Sequence, residues 1–104
     1  MAKYVFSYHG GSAPADEAAG AAVMQAWMGW FETLGAAIID GGNPTGQSKT
    51  VNGDGSVSNG GGSNPITGYS LVTATDIDAA VAMAKGCPIL SGGGSVEVSE
   101  AHEM

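Results

Sequence analysis

The sequence has 104 residues and a formal net charge of −7, from ten acidic residues, three lysines and no arginine. A chain of this length fits one domain, and its negative charge repels nucleic-acid phosphates and anionic membrane surfaces. We therefore expect a single domain over residues 1–104, with no nucleic-acid or membrane partner. The lone Cys87 cannot form a disulfide within the chain, and no basic region precedes an apolar run of signal-peptide length, so a cytoplasmic location is the expectation.

The first predicted elements are a strand and a long helix. From Lys3 to His9 the aromatic residues Tyr4, Phe6 and Tyr8 alternate with Lys3, Val5, Ser7 and His9, and this pattern is typical of a strand. Pro14 followed by two acidic residues resembles a helix opening, so we expect a cap at Ser12 or Ala13. Apolar residues at helical spacing then continue to Gly35, which ends the predicted helix.

A short strand and a glycine-rich excursion follow. The apolar run Ala37–Asp40 predicts a strand of four or five residues. Residues 46–51 are predicted to pair with residues 56–58 as a hairpin across the turn Asn52-Gly53-Asp54-Gly55. Glycine, serine and asparagine dominate the rest of this region, so we predict a flexible loop over about residues 52–65.

The segment from Gly68 to Val98 contains a complete strand, helix and strand. Tyr69–Thr73 has the side chains of a half-buried strand. Thr75 stands where a helix cap is expected, with Asp78 three residues later as in a capping box, and the helix is predicted to end near Lys85. Residues 95–99 alternate Ser, Val, Glu, Val, Ser, which predicts the final strand.

This order of elements predicts an α+β, ferredoxin-like βαββαβ fold with an extra glycine-rich hairpin. Right-handed crossovers fix the order of the four main strands as 4-1-3-2, with all neighbours antiparallel. Both helices then cover one face of the sheet, so the other face must be buried by a partner or a ligand. A homodimer packed sheet to sheet meets that need.

Several sequence motifs, taken together, resemble those of the YCII-related (DGPF) family, and the resemblance covers most of the chain. The resemblance implies a dimeric α+β barrel, in which two ferredoxin-like sheets enclose a cavity. It is carried by the following stretches: Trp27-x-x-Trp30-Phe31, Asp40-Gly41-Gly42, Ser48-Lys49-Thr50-Val51, Gly68-Tyr69, Asp76-x-Asp78-Ala79-Ala80, Lys85-Gly86-Cys87-Pro88 and Gly93-Gly94-Ser95-Val96-Glu97-Val98.

The chain departs from the family at two places. The Asp-Gly-Pro-Phe sequence that names the family is replaced here by Ser63-Asn64-Pro65-Ile66. Members that resemble muconolactone-isomerase-like or dehydrochlorinase-like enzymes have a His/Asp pair, with the histidine near the start of the first helix. That position has no histidine in this chain, and the nearest one is His9, a few residues upstream.

Three residues are predicted to form a proton-transfer site. The first and second strands point the same way, so His9, Asp40 and Tyr69 are expected to gather at one edge of the sheet. A histidine oriented by a carboxylate is suited to general acid–base chemistry. The alternative is that His9 is a solvated or backbone-bonded residue beside a turn.

Ligand-binding residues are predicted on the first strand and the first helix. Ser7 shares a strand face with His9, and Trp27 and Trp30 are candidates for the wall of an apolar pocket. An aromatic stripe at helical spacing is also typical of a core or a dimer interface.

No cofactor or metal is predicted. The stretch beginning at Asn52 has Val57 and Ser63 where a calcium loop needs glycine and glutamate. Glu100 and His102 share a strand face but supply too few ligands for zinc. The predicted function is binding of a small organic molecule between sheet and helices, with lyase or isomerase-type acid–base chemistry. The alternative is a non-catalytic protein-interaction or regulatory module.

Overall fold

The computed structural model describes residues 1–11 and 15–103. Within these residues, two helices and six strands follow one another. In chain order they are β1 (Ala2–His9), α1 (Glu17–Leu34), a 3-10 turn (Gly35–Ala37), β2 (Ile38–Asp40), β3 (Lys49–Val51), β4 (Val57–Asn59), β5 (Ile66–Ala74), α2 (Ile77–Ala84), a second 3-10 turn (Pro88–Gly92) and β6 (Ser95–Ala101).

Four strands form one sheet in the order β2-β5-β1-β6, and each neighbouring pair is antiparallel. Numbered within the ferredoxin-like core, this is the predicted order 4-1-3-2, so the prediction is confirmed. Strands β3 and β4 form a separate two-stranded sheet, which confirms the predicted hairpin. The Asn52 amide donates to the Ser56 carbonyl at 2.7 Å where this hairpin turns.

Both helices pack on the same face of the four-stranded sheet. Alternation along β1 places Tyr4, Phe6 and Tyr8 on that face, where each is at most 4 % exposed. Trp30 of α1 joins them in one aromatic core, stacked on Phe6 with ring centroids 6.1 Å apart. The rest of the buried apolar set comes from β5, α2 and the turn after it: Val72, Ala74, Ala80, Ala84 and Cys87.

The opposite face of the sheet, here called the open face, is covered by no helix among the described residues. Its members alternate with the core residues on β1, β5 and β6, and most are half-buried in this single chain. They are Val5, Ser7, His9, Tyr69, Leu71, Thr73, Glu97 and Ser99.

Aspartates cap both helices. The Asp76 carboxylate accepts from the Ala79 amide at 2.8 Å, so the cap lies one residue after the predicted Thr75. The Asp16 carboxylate accepts from the Ala19 amide at the same distance, and α1 begins at Glu17. The cap predicted at Ser12 or Ala13 lies outside the described residues. A carboxylate adds favourable charge at the positive helix end to its hydrogen bond, which explains both choices.

The β3–β4 hairpin extends the molecule. All six strand residues are exposed, including Val51 at 72 % and Val57 at 60 %. The radius of gyration is 15.0 Å, against about 13 Å for a compact domain of this length. The hairpin therefore projects from the domain. Within the described part of the chain, neither helix is both long and apolar enough to cross a lipid bilayer.

Candidate functional site

His9 lies at the end of β1, on the open face, and its side chain is only 7 % exposed. A β-bulge at this point places Tyr8 opposite Gly68 and His9 opposite Ile66, with Thr67 as the extra residue. The Thr67 hydroxyl lies 3.3 Å from the Tyr8 carbonyl and 3.2 Å from the Gly10 carbonyl. A bulge changes the direction of nearby side chains. Because Thr67 also hydrogen-bonds to the backbone before and after His9, the imidazole has a defined direction.

Both ring nitrogens of His9 contact oxygen acceptors. Nε2 lies 3.1 Å from the Glu97 carboxylate, and Nδ1 lies 3.2 Å from the Pro65 carbonyl. Glu97 is on β6 and its side chain is 62 % exposed, so water also reaches the carboxylate. A buried histidine with one carboxylate partner is suited to holding or moving a proton.

Two further polar side chains lie beside this pair on the open face. Ser7 is directly opposite Tyr69 on β5 and directly opposite Glu97 on β6. The Asn43 amide group donates to the Tyr69 hydroxyl at 3.4 Å. The sheet register thus gathers Ser7, His9, Tyr69 and Glu97, and we call these four residues the polar cluster.

Asp40 is not part of this cluster. It lies on β2 opposite Leu71, whereas His9 lies opposite Ile66, and β5 separates the two strands. The Cα atoms of His9 and Asp40 are separated by five residues along the strand direction and by two strand spacings. This separation corresponds to a distance on the order of 19 Å. The Asp40 carboxylate instead accepts from the Gly42 amide at 2.8 Å and shapes the turn after β2. The predicted pairing of Asp40 with His9 does not occur.

Trp27 and Trp30 lie on the helix-covered side of the sheet, away from Ser7. The Trp30 indole N–H donates to the Met83 carbonyl at 3.0 Å, and Trp30 is 6 % exposed. Trp27 packs edge-on against Tyr8, with ring centroids 5.0 Å apart. The structure therefore separates the predicted tryptophan wall from the predicted serine, and Trp30 is a core residue.

One edge of Trp27 also borders an open cleft of about 610 Å³ between α1, the second 3-10 turn and the start of β5. The cleft is formed mainly by glycine, proline and aliphatic residues. Among the described residues, no titratable side chain lines it: its residues are Gly10, Gly11, Val23, Trp27, Pro44, Thr67, Pro88, Ile89, Ser91 and Gly92.

Two other side chains with reactive groups, Cys87 and Tyr8, are buried in the core. Burial raises the pKa of the Cys87 thiol to about 11, which leaves it protonated and unreactive at neutral pH. Burial also raises the pKa of Tyr8 to about 12. The Tyr8 hydroxyl donates to Ser70, which in turn donates to the Gly41 carbonyl, each at 2.7 Å. Among the described residues, no group of three or more histidine, cysteine or acidic side chains is placed to hold a metal ion.

The sequence reasoning missed Glu97 and Pro65, the two partners of His9. Glu97 is the single charged residue in the alternation of residues 95–99 and lies on the face opposite Val96 and Val98. Pairing that face with the Ser7 and His9 face of the first strand would have brought the acid near the histidine. Pro65 acts through its backbone carbonyl, for which a sequence has no signal.

The fold and the open-face cluster define a ferredoxin-like α+β protein with polar groups on its uncovered sheet. A solved structure of the same fold is 5-chloro-2-hydroxyhydroquinone dehydrochlorinase from Burkholderia phenoliruptrix AC1100, in complex with 2,5-dihydroxybenzoquinone. The two chains are 17% identical, with a TM-score of 0.56, and the similarity covers 96% of this chain and 95% of that chain. No family model and no curated protein matches the sequence.

Proposed function

We propose that this chain is a YCII-related protein that forms a homodimer through its open face and binds a small oxygen-bearing ring compound there, with His9 as the acid–base group. The observation that carries the proposal is the buried His9 held against the Glu97 carboxylate, beside Ser7 and Tyr69. The dehydrochlorinase of the same fold is described as a complex with a dihydroxybenzoquinone, which supports this class of compound.

The chemistry proposed for the cluster is proton transfer in a lyase or isomerase-type step. Glu97 keeps the imidazole oriented, and the His9 ring gives a proton to a ligand oxygen or takes one from an adjacent carbon. The hydroxyl groups of Ser7 and Tyr69 position the ring of the bound compound by hydrogen bonds. Proton transfer by a positioned side chain contributes about 10² to 10⁴ in rate. No cofactor takes part in this proposal, and the dimer is proposed to work in the cytoplasm.

The His9→Gln substitution tests the proposed ligand site. We expect His9→Gln to bind 2,5-dihydroxybenzoquinone about 10- to 100-fold more weakly than the unmodified protein, because hydrogen bonds to charged groups contribute about 1.5–3 kcal/mol. Titration calorimetry with that compound measures the effect. His102→Gln is the matched control, since His102 is 82 % exposed and paired with Glu100 outside the cluster. Equal affinity of the His9 variant, or no binding by the unmodified protein, contradicts the proposal.

The dimer is tested at the centre of the open face. Leu71 lies opposite Val5 there, and a charge buried at that point is costly unless it is paired. We expect Leu71→Glu to sediment as a monomer at concentrations where the unmodified protein sediments as a dimer. Leu90→Glu makes the same change at a leucine that is 43 % exposed on the helix side, and it should remain dimeric. A monomeric unmodified protein, or a dimeric Leu71 variant, argues against sheet-to-sheet pairing.

The exposed hairpin favours a second candidate, a non-catalytic interaction module. Val51 and Val57 face each other across β3 and β4 and remain exposed, so this surface is available to a protein partner. In that case His9→Gln leaves small-molecule binding unchanged, and substitution of the two valines abolishes partner binding. The calorimetric comparison above therefore separates the two candidates.

A further inference from the structure

The contacts of the His9 ring lead to an inference about protonation that does not depend on any ligand. A neutral imidazole has one N–H donor and one acceptor nitrogen, and only the imidazolium has two donors. Both ring nitrogens here face oxygen acceptors, the Pro65 carbonyl at 3.2 Å and the Glu97 carboxylate, which is 62 % exposed in the single chain, at 3.1 Å. The two contacts are therefore hydrogen bonds at the same time only when the bridge holds an additional proton.

This bridge joins three separate parts of the chain. Glu97 belongs to β6, His9 to β1, and Pro65 ends the glycine-rich excursion just before β5. When the proton leaves, one ring nitrogen turns a lone pair toward an oxygen lone pair, and that contact changes from attractive to repulsive. The Glu97 contact is the one that keeps its N–H, because a carboxylate is the stronger acceptor. The contact to Pro65 is the one that is lost.

We propose that His9 is a protonation-dependent latch that holds the Pro65 end of the excursion against the sheet. The latch is closed while the bridge holds the additional proton and opens when the bridge loses it. Opening frees the Nδ1 side of the ring. Among the described residues, the His9 ring contacts the Glu97 carboxylate on β6 and the neutral Pro65 carbonyl just before β5. The Thr67 hydroxyl contacts the Tyr8 and Gly10 carbonyls on either side of His9.

The latch predicts that the base of the excursion becomes less protected as pH rises. The Thr45 amide, which donates to the Thr67 carbonyl at 3.0 Å, reports on that base. Over a series of pH values, we expect its hydrogen-exchange protection factor, corrected for intrinsic exchange at each pH, to fall about tenfold where the bridge loses its proton, as for loss of one charge-assisted hydrogen bond. Protection of the Phe6 amide in the centre of the sheet should change much less.

The ring itself is observed by nitrogen NMR on the full chain, which contains only two histidines. We expect His9 to carry protons on both nitrogens where Thr45 is protected and on one nitrogen where that protection is lost. Glu97→Gln removes the acceptor charge and should shift both changes to lower pH. Glu100→Gln alters the exposed pair with His102 and should shift neither. A singly protonated His9 while Thr45 is still protected, or Thr45 protection that does not follow the ring, overturns the latch.

Discussion

Trp30→Ala is expected to lower the free energy of unfolding by about 3–5 kcal/mol, the range for removing a large aromatic side chain from a core. Trp30 is 6 % exposed and touches the rings of Phe6, Tyr8, Trp27 and Phe31, so its loss opens a cavity between α1 and the sheet. The indole hydrogen bond to the Met83 carbonyl is lost as well, which leaves that acceptor without its indole donor. Urea unfolding followed by far-ultraviolet circular dichroism at fixed protein concentration measures the change.

Two further variants serve as comparisons for this result, Met28→Ala on the same helix and Trp30→Phe at the same position. Met28→Ala truncates a side chain that is 65 % exposed, and the expected change is within about 0.5 kcal/mol. Trp30→Phe keeps a ring in the core but removes the indole N–H, and an intermediate loss is expected. If Trp30→Ala unfolds at the same urea concentration as Met28→Ala, then Trp30 does not anchor the core.

Gly42→Ala is the second large expected effect, on the order of 3–5 kcal/mol, from backbone strain combined with overpacking. Gly42 has φ +76°, a backbone conformation that residues with a side chain rarely adopt. A Cβ at this position would lie 1.7 Å from the Tyr69 carbonyl oxygen. The neighbouring atoms belong to the backbone of β5, so they cannot move aside without disturbing the sheet. The substitution should therefore also displace Tyr69 from the polar cluster and weaken dihydroxybenzoquinone binding.

The adjacent glycine provides a matched control. A Cβ on Gly41 meets only the Phe31 ring, at 3.9 Å, and Gly41 has no positive φ. We expect Gly41→Ala to change the unfolding free energy by less than about 1 kcal/mol. Thermal unfolding of the two variants side by side gives the comparison, and similar midpoints for both would mean that the close approach to Tyr69 is relieved at little cost.

The sheet order could be predicted from the sequence because it follows from local patterns and a handedness rule. Alternation in residues 3–9 and 95–99 identified the β1 and β6 strands, and the right-handed crossovers placed them side by side. The helix caps were missed because neighbouring residues compete for the role. Thr75 and Asp76 can each accept a hydrogen bond from the first turn, and the choice depends on backbone angles that composition does not determine.

The site was predicted less well because it depends on strand register. His9 and Glu97 are 88 positions apart, and they meet because β1 pairs with β6 in one particular register. Asp40 was expected beside His9 on the assumption that parallel strands end at the same edge of the sheet. Strand β2 has only three residues and pairs with the middle of β5, so it ends well before β1 does.

The projecting hairpin has a consequence for how the molecule unfolds. Its hydrogen bonds are internal, such as the Thr50 hydroxyl to the Gly60 carbonyl at 2.8 Å and the Gly60 amide to the Ser48 carbonyl at 2.9 Å. Its valines bury little area against the core. A two-stranded hairpin alone is marginally stable in water, so we expect this tip to melt and re-form as a separate cooperative unit while the sheet stays folded. Changes in tip length or sequence are therefore expected to leave the global stability of the domain nearly unaltered.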